Sequence, residues 1–122
     1  MRLAYIAGPY TAKTAWEIEQ NVRRAEEWGL AVAKCGVMPL IPHTNSRFFH
    51  GLLTPEFWYL GTLELLKRSD AIILIPGWSL STGARGEKKW AEENDLPIFD
   101  AESCLVVDDV LRQILRWTAC PV

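Results

Sequence analysis

The sequence predicts an α/β protein, a three-layer, doubly wound parallel sheet of four to five strands. Three observations carry that reading. Short apolar runs alternate with amphipathic helical patterns along most of the chain. The run Ala71 to Ile75 is apolar throughout and is stopped by Pro76-Gly77, the mark of a strand buried on both faces. The stretch from Ser69 to Phe99 then reads as strand, Gly/Ser/Thr loop, helix and strand, one complete crossover unit.

Each element has its own signal. Leu3 to Ala7 is a short apolar run ended by Gly8-Pro9, the first strand. Thr14-Ala15-Trp16-Glu17 has the spacing of a capping box, and Ile18, Val22, Ala25, Gly29 and Val32 form one face of the helix it opens. Cys35-Gly36 ends that helix. Val37 to Ile41 is the second strand, and Pro39 within it suits an edge position. His43 to Leu53 has no period and reads as a loop long enough to cover a site. Thr54-Pro55-Glu56 supplies a cap, a Pro at the first helical position and an acid in the first turn, so a helix runs from there to about Arg68. After the third strand comes a helix over roughly Thr82 to Glu93, a turn at Asn94-Asp95 and a fourth strand, Leu96 to Phe99. Val107, Val110, Leu111, Ile114 and Leu115 share one face of a closing helix from about Ser103 to Trp117. Strands and helices in strict alternation suit a flavodoxin- or Rossmann-like sheet in the order 2-1-3-4.

Bulk properties narrow the function. With 122 residues and 49% hydrophobic content, the chain is expected to be one domain, 1–122, around one core. A formal charge of -2 offers no basic field to hold a nucleic-acid polymer. No apolar run is long enough to span a bilayer, and MRLAYIAGPY is too short and too polar for a signal peptide, so no membrane partner is expected. Three cysteines without CxxC spacing argue against a disulfide framework and fit a reducing cytoplasm. The six tryptophans are expected in the core or at a subunit contact.

In an open parallel sheet ligands sit beyond the carboxyl ends of the strands, so Gly77 to Glu87 lies where a ligand would lie. Glycines there let the backbone approach it, and a helix start favours an anion such as phosphate. A lone Glu on a helix is more often a solvated residue. The Ser81-Gly83-Gly86 approach is what singles out Glu87. Tyr5 lies near the end of the first strand, within reach of such a carboxylate, and Gly8 directly after that strand clears space. A single loop histidine such as His43 is usually neither ligand nor catalyst, and His50 has a weaker case. No His and acid arrangement matches a metal site, so no metal is expected. Gly83-Ala84-Arg85-Gly86 is not a dinucleotide fingerprint, there is no Walker loop, and no cofactor is expected.

Tyr5-Ile6-Ala7-Gly8, Ser69-Asp70-Ala71, and Ser81-x-Gly83-x-x-x-Glu87 followed by Ala91 and Pro97 resemble the nucleoside 2-deoxyribosyltransferase superfamily. Within it the spacing is closest to the 2'-deoxynucleoside 5'-phosphate N-hydrolases, and Pro76-Gly77-Trp78 with Gly83-Ala84 looks like a branch of small phage and bacterial proteins. The resemblance runs to about Phe99. It implies an N-glycosidase or transferase of nucleosides or their 5'-monophosphates in which Glu87 is the nucleophile and Tyr5 orients it. It also implies that Gly8, Ser81 and Gly83 surround the sugar or a 5'-phosphate, and that the chain forms a homo-oligomer, a dimer or tetramer. Trp78 and the loop near Phe48 are placed to stack on the base by our own inference.

The family's usual Asp is here Thr62, a hydrogen-bond donor that is no acid near neutral pH. Glu56 or Glu64 would have to replace it, or the chain cleaves slowly, or it binds nucleotides without cleaving them. Asp70 reads as a strand-start residue at the far end of the sheet. A phosphoribohydrolase of the cytokinin-activating kind ranks last, because its Pro-Gly-Gly-x-Gly-Thr loop is absent.

Overall fold

The computed structural model describes residues 1–49, 51–104 and 106–120. Four parallel strands, β1 (Leu3–Ala7), β2 (Met38–Leu40), β3 (Ala71–Leu74) and β4 (Ile98–Asp100), form one sheet in the order β2-β1-β3-β4. The helices between and after them are α1 (Ala15–Lys34), α2 (Pro42–Asn45), α3 (Pro55–Lys67), α4 (Thr82–Glu93) and α5 (Val107–Ala119). This is the three-layer doubly wound arrangement that the alternation of patterns predicts. The register pairs Tyr5 with Ile72 and Ile73 with Phe99.

The two-residue period of β1 divides the core between the faces of the sheet. Ala4 and Ile6 pack with Ala25, Val32, Val110 and Ile114 of α1 and α5. Tyr5 and Ala7 face the other way, with Leu66 of α3 and Ala91 of α4. Tyr5 is therefore placed under α4 by strand parity alone.

Local chemistry sets the helix ends. Thr14 accepts from the Glu17 N–H at 3.1 Å, and the Glu17 carboxylate accepts from the Thr14 hydroxyl rather than from its backbone. Thr54 caps α3 through the Phe57 N–H at 3.2 Å. α4 closes with Asp95 at φ 54 and a bond from Leu96 N–H to the Ala91 carbonyl, a Schellman ending.

Some boundaries differ from expectation. β4 runs over Ile98–Asp100 rather than Leu96 to Phe99, because the Schellman turn holds Leu96 and Pro97 has no N–H for the ladder. α5 starts at Val107 rather than near Ser103, whose N–H is held by the Asp100 carboxylate at 3.2 Å. The expected loop from His43 holds the short α2, started by Pro42. Trp16 is 72% exposed and lies outside the core.

Candidate active site

β1 and β3 are neighbours whose onward connections run to opposite edges of the sheet, which opens a crevice beyond their carboxyl ends. A cavity of about 430 Å³ occupies it. Its floor comes from Tyr5 and Gly8 of the β1 end and from Gly83 and Glu87 of α4, and its walls from α2, α3 and the segment between them.

Each floor residue is placed by a local rule. A Cβ on Gly8 would overlap the Ile75 side chain, so only glycine lets the chain turn away from β1 against β3. A Cβ on Gly83 would meet no protein atom within 4 Å, so the space left by its missing side chain belongs to the cavity. Ser81 is the N-cap of α4 and accepts from Ala84 N–H at 3.2 Å. Glu87 follows Gly83 by one helical step of four, on the same face, and is turned inward.

Glu87 is only 7% exposed, and Tyr5 is 1% exposed. The Tyr5 hydroxyl donates to Glu87 Oε2. Burial pushes the Glu87 carboxyl up to about 7, against the opposing pull of that hydrogen bond. Burial first, and then the Glu87 charge, push the Tyr5 phenol far up, with the Thr62 hydroxyl acting the other way. Tyr5 therefore stays a donor wherever the protein is folded.

Thr62 lines the cavity and donates to the Tyr59 carbonyl at 2.9 Å. Neither Glu56 nor Glu64 lies among the described lining residues, and Glu64 faces outward to Lys67 at 3.2 Å. Asp70 accepts from Leu3 N–H at 2.7 Å, at the opposite end of the sheet.

Trp78 does not line the cavity. Gly77, at φ 95, turns the chain into a 3-10 turn (Trp78–Leu80), and the indole N–H donates to Asp100 Oδ1 at 2.9 Å. The Lys88 ammonium covers the ring at 5.3 Å. Phe48 also faces away, 79% exposed under the Arg47 guanidinium. The aromatic walls are instead Tyr10, Trp58 and Tyr59.

His43, a lone histidine in an aperiodic stretch, lines the cavity and is 5% exposed. Its Nε2–H donates to the Pro9 carbonyl at 3.0 Å, and the Tyr10 ring meets it edge-on at 5.9 Å. Burial holds its pKa below the ordinary value, so the ring is a neutral strut beneath the Gly8–Thr11 segment. His50 lies outside the described residues. Among the described residues no group of His, Cys, Asp and Glu is clustered to hold a metal ion.

A model of the family described as domain of unknown function DUF7768 matches residues 2–101. The chain belongs to that family. The matched span contains all the described cavity-lining residues and stops before α5, so the DUF7768 region is the part that builds the site. Among solved structures, the fold is similar to that of a 2-deoxyribosyltransferase from Bacillus psychrosaccharolyticus. That likeness has a TM-score of 0.61 and 19% identity, and covers 93% of this chain and 90% of the other. No curated protein sequence matches the chain. Among the described residues no helix is long and apolar enough to cross a membrane.

Proposed function

We propose that this chain cleaves or transfers the N-glycosidic bond of a nucleoside or nucleoside 5'-monophosphate, with Glu87 as the nucleophile. One observation carries the reading: a carboxylate that is almost wholly buried, held by a tyrosine, faces a ligand-sized cavity at the switch point of the sheet. The shared fold with a 2-deoxyribosyltransferase and the residues that resemble its superfamily support it. In this reading the Glu87 carboxylate attacks C1', the base departs, and a glycosyl ester forms; water or a second base then attacks the same carbon. Tyr5 fixes the direction of the attacking oxygen. Gly83 and the Ser81 hydroxyl face the sugar or its 5'-phosphate.

Purified protein incubated with ribo- and deoxynucleosides and their 5'-monophosphates should release free base, read by chromatography. An added second base separates transfer from hydrolysis. Absence of release across the panel contradicts the proposal.

One observation favours a second reading, a non-catalytic nucleotide-binding module. In the resemblance to the deoxyribosyltransferase superfamily Thr62 stands where an Asp is usual, and its hydroxyl donates to the Tyr59 carbonyl. Saturable nucleotide binding without turnover is its signature.

The whole chain acts as one deoxyribosyltransferase-like domain in a reducing cytoplasm, where Cys35, Cys104 and Cys120 stay as thiols. Leu52, Leu53, Phe57 and Leu60 are exposed on α3 and the segment before it, beside the cavity wall. A second copy of the chain covers this apolar face. Light scattering should give twice or four times the single-chain mass, and a monomer at micromolar concentration contradicts that assembly.

A further inference from the structure

Glu87 presents a buried carboxylate to the cavity, and no Lys or Arg stands among the described lining residues. A carboxylate removed from water needs a counter-charge or several donors, and here the Tyr5 hydroxyl is its one hydrogen-bond partner among the described residues. The facing walls are the rings of Tyr10, Trp58 and Tyr59, whose π-faces also attract cations. Of the other donors around the floor, two are engaged and the rest are neutral N–H and O–H groups, with the buried Trp58 Nε1–H unpartnered. The Thr62 hydroxyl is on the Tyr59 carbonyl and the His43 Nε2–H is on the Pro9 carbonyl. A neutral base leaving with the electron pair of its glycosidic bond needs a proton or strong donors, whereas a base that starts with a positive ring needs neither.

We propose that the cavity selects N-glycosides whose base carries a formal positive charge, such as an N-alkylated purine or a pyridinium ring. The proposal rests on the glycosidic function above and names its substrate class. A Glu87 carboxylate oxygen bonds to C1' as the C1'–N bond breaks, and the electron pair of that bond stays on nitrogen and neutralises the ring. The base leaves neutral with no proton delivered. Water then attacks C1', the ester C1'–O bond breaks and returns its pair to Glu87, and the surplus proton passes to solvent. In the ground state the positive ring supplies the counter-charge that the buried carboxylate lacks.

The test compares N7-methylguanosine with guanosine, the same pair in the 2'-deoxy series, each with and without a 5'-phosphate, and nicotinamide riboside as a pyridinium. Base release is measured as acceleration over the buffer rate, which removes the intrinsic lability of charged bases. Equilibrium binding is measured in parallel for wild type and Glu87→Gln. The expected result is at least about tenfold greater acceleration and tighter binding for the charged member of each pair, with the binding preference lost in Glu87→Gln. Equal acceleration of both members overturns the substrate class and leaves the glycosidic function standing. Tighter binding of the charged member without release from any compound overturns the glycosidic function and retains the cation preference. Equal or weaker binding of the charged member overturns the inference by the wild-type comparison alone.

Discussion

Glu87→Gln is expected to reduce base release by about 10⁴-fold or more while leaving the fold intact. The substitution keeps the volume and still lets the Tyr5 hydroxyl donate to the side-chain oxygen, so packing beneath α4 is preserved. What it removes is the anion that, in the proposed mechanism, forms the ester. Circular dichroism and thermal unfolding check the fold, and chromatographic base release checks the loss. A glutamine variant that is folded and releases base at the wild-type rate contradicts the assignment of the nucleophile. Tyr5→Phe should be milder, about 10- to 100-fold, because it removes the group that aims the carboxylate rather than the carboxylate itself.

The same buried carboxyl sets activity and stability in opposition as pH rises. In the folded chain it holds its proton up to about pH 7, against 4.5 for a free carboxyl. Between those values the folded state binds more protons than the unfolded state, so the unfolding free energy falls as pH rises through the window and stays low above it. The loss from this single group is about 3 kcal/mol between pH 4.5 and 8. Glu87→Gln cannot ionise, so its stability should lack that fall, and it should melt several degrees higher than wild type at pH 8. Near pH 4.5 the two proteins should melt closely together. In the proposed mechanism catalysis runs the other way: attack on C1' needs the anion, so kcat/KM should rise with pH through an apparent pKa near 7 in the free protein. Melting curves of wild type and variant that stay parallel from pH 4.5 to 8 would show that Glu87 ionises normally.

What was legible in the sequence follows from how local each signal is. The extent of α4, Thr82–Glu93, is legible from its helical pattern and the closing Asn-Asp turn, both within the segment itself. The juxtaposition of Tyr5 and Glu87 needed one further step, the 2-1-3-4 strand order, which the alternation of elements supplies. The direction of the Trp78 indole is not legible locally, because it is set by Asp100 at the end of β4. The role of His43 was hidden for the same reason. A lone histidine in an aperiodic stretch acquires meaning only when the fold brings the Pro9 carbonyl to its Nε2. The aromatic walls Trp58 and Tyr59 were read only as part of a helix. Their ring directions depend on how α3 lies against α4, where a Cβ on Gly86 would sit 2.5 Å from the Tyr59 hydroxyl.

A covalent glycosyl-enzyme at Glu87 would be caught by rapid acid quench during turnover, followed by intact-protein and peptide mass spectrometry. The expected result is a mass gain of one glycosyl residue on the peptide containing Glu87, diminished when an acceptor base is present during turnover and absent from Glu87→Gln. Base release with no adduct at Glu87, persisting in the glutamine variant, would contradict it.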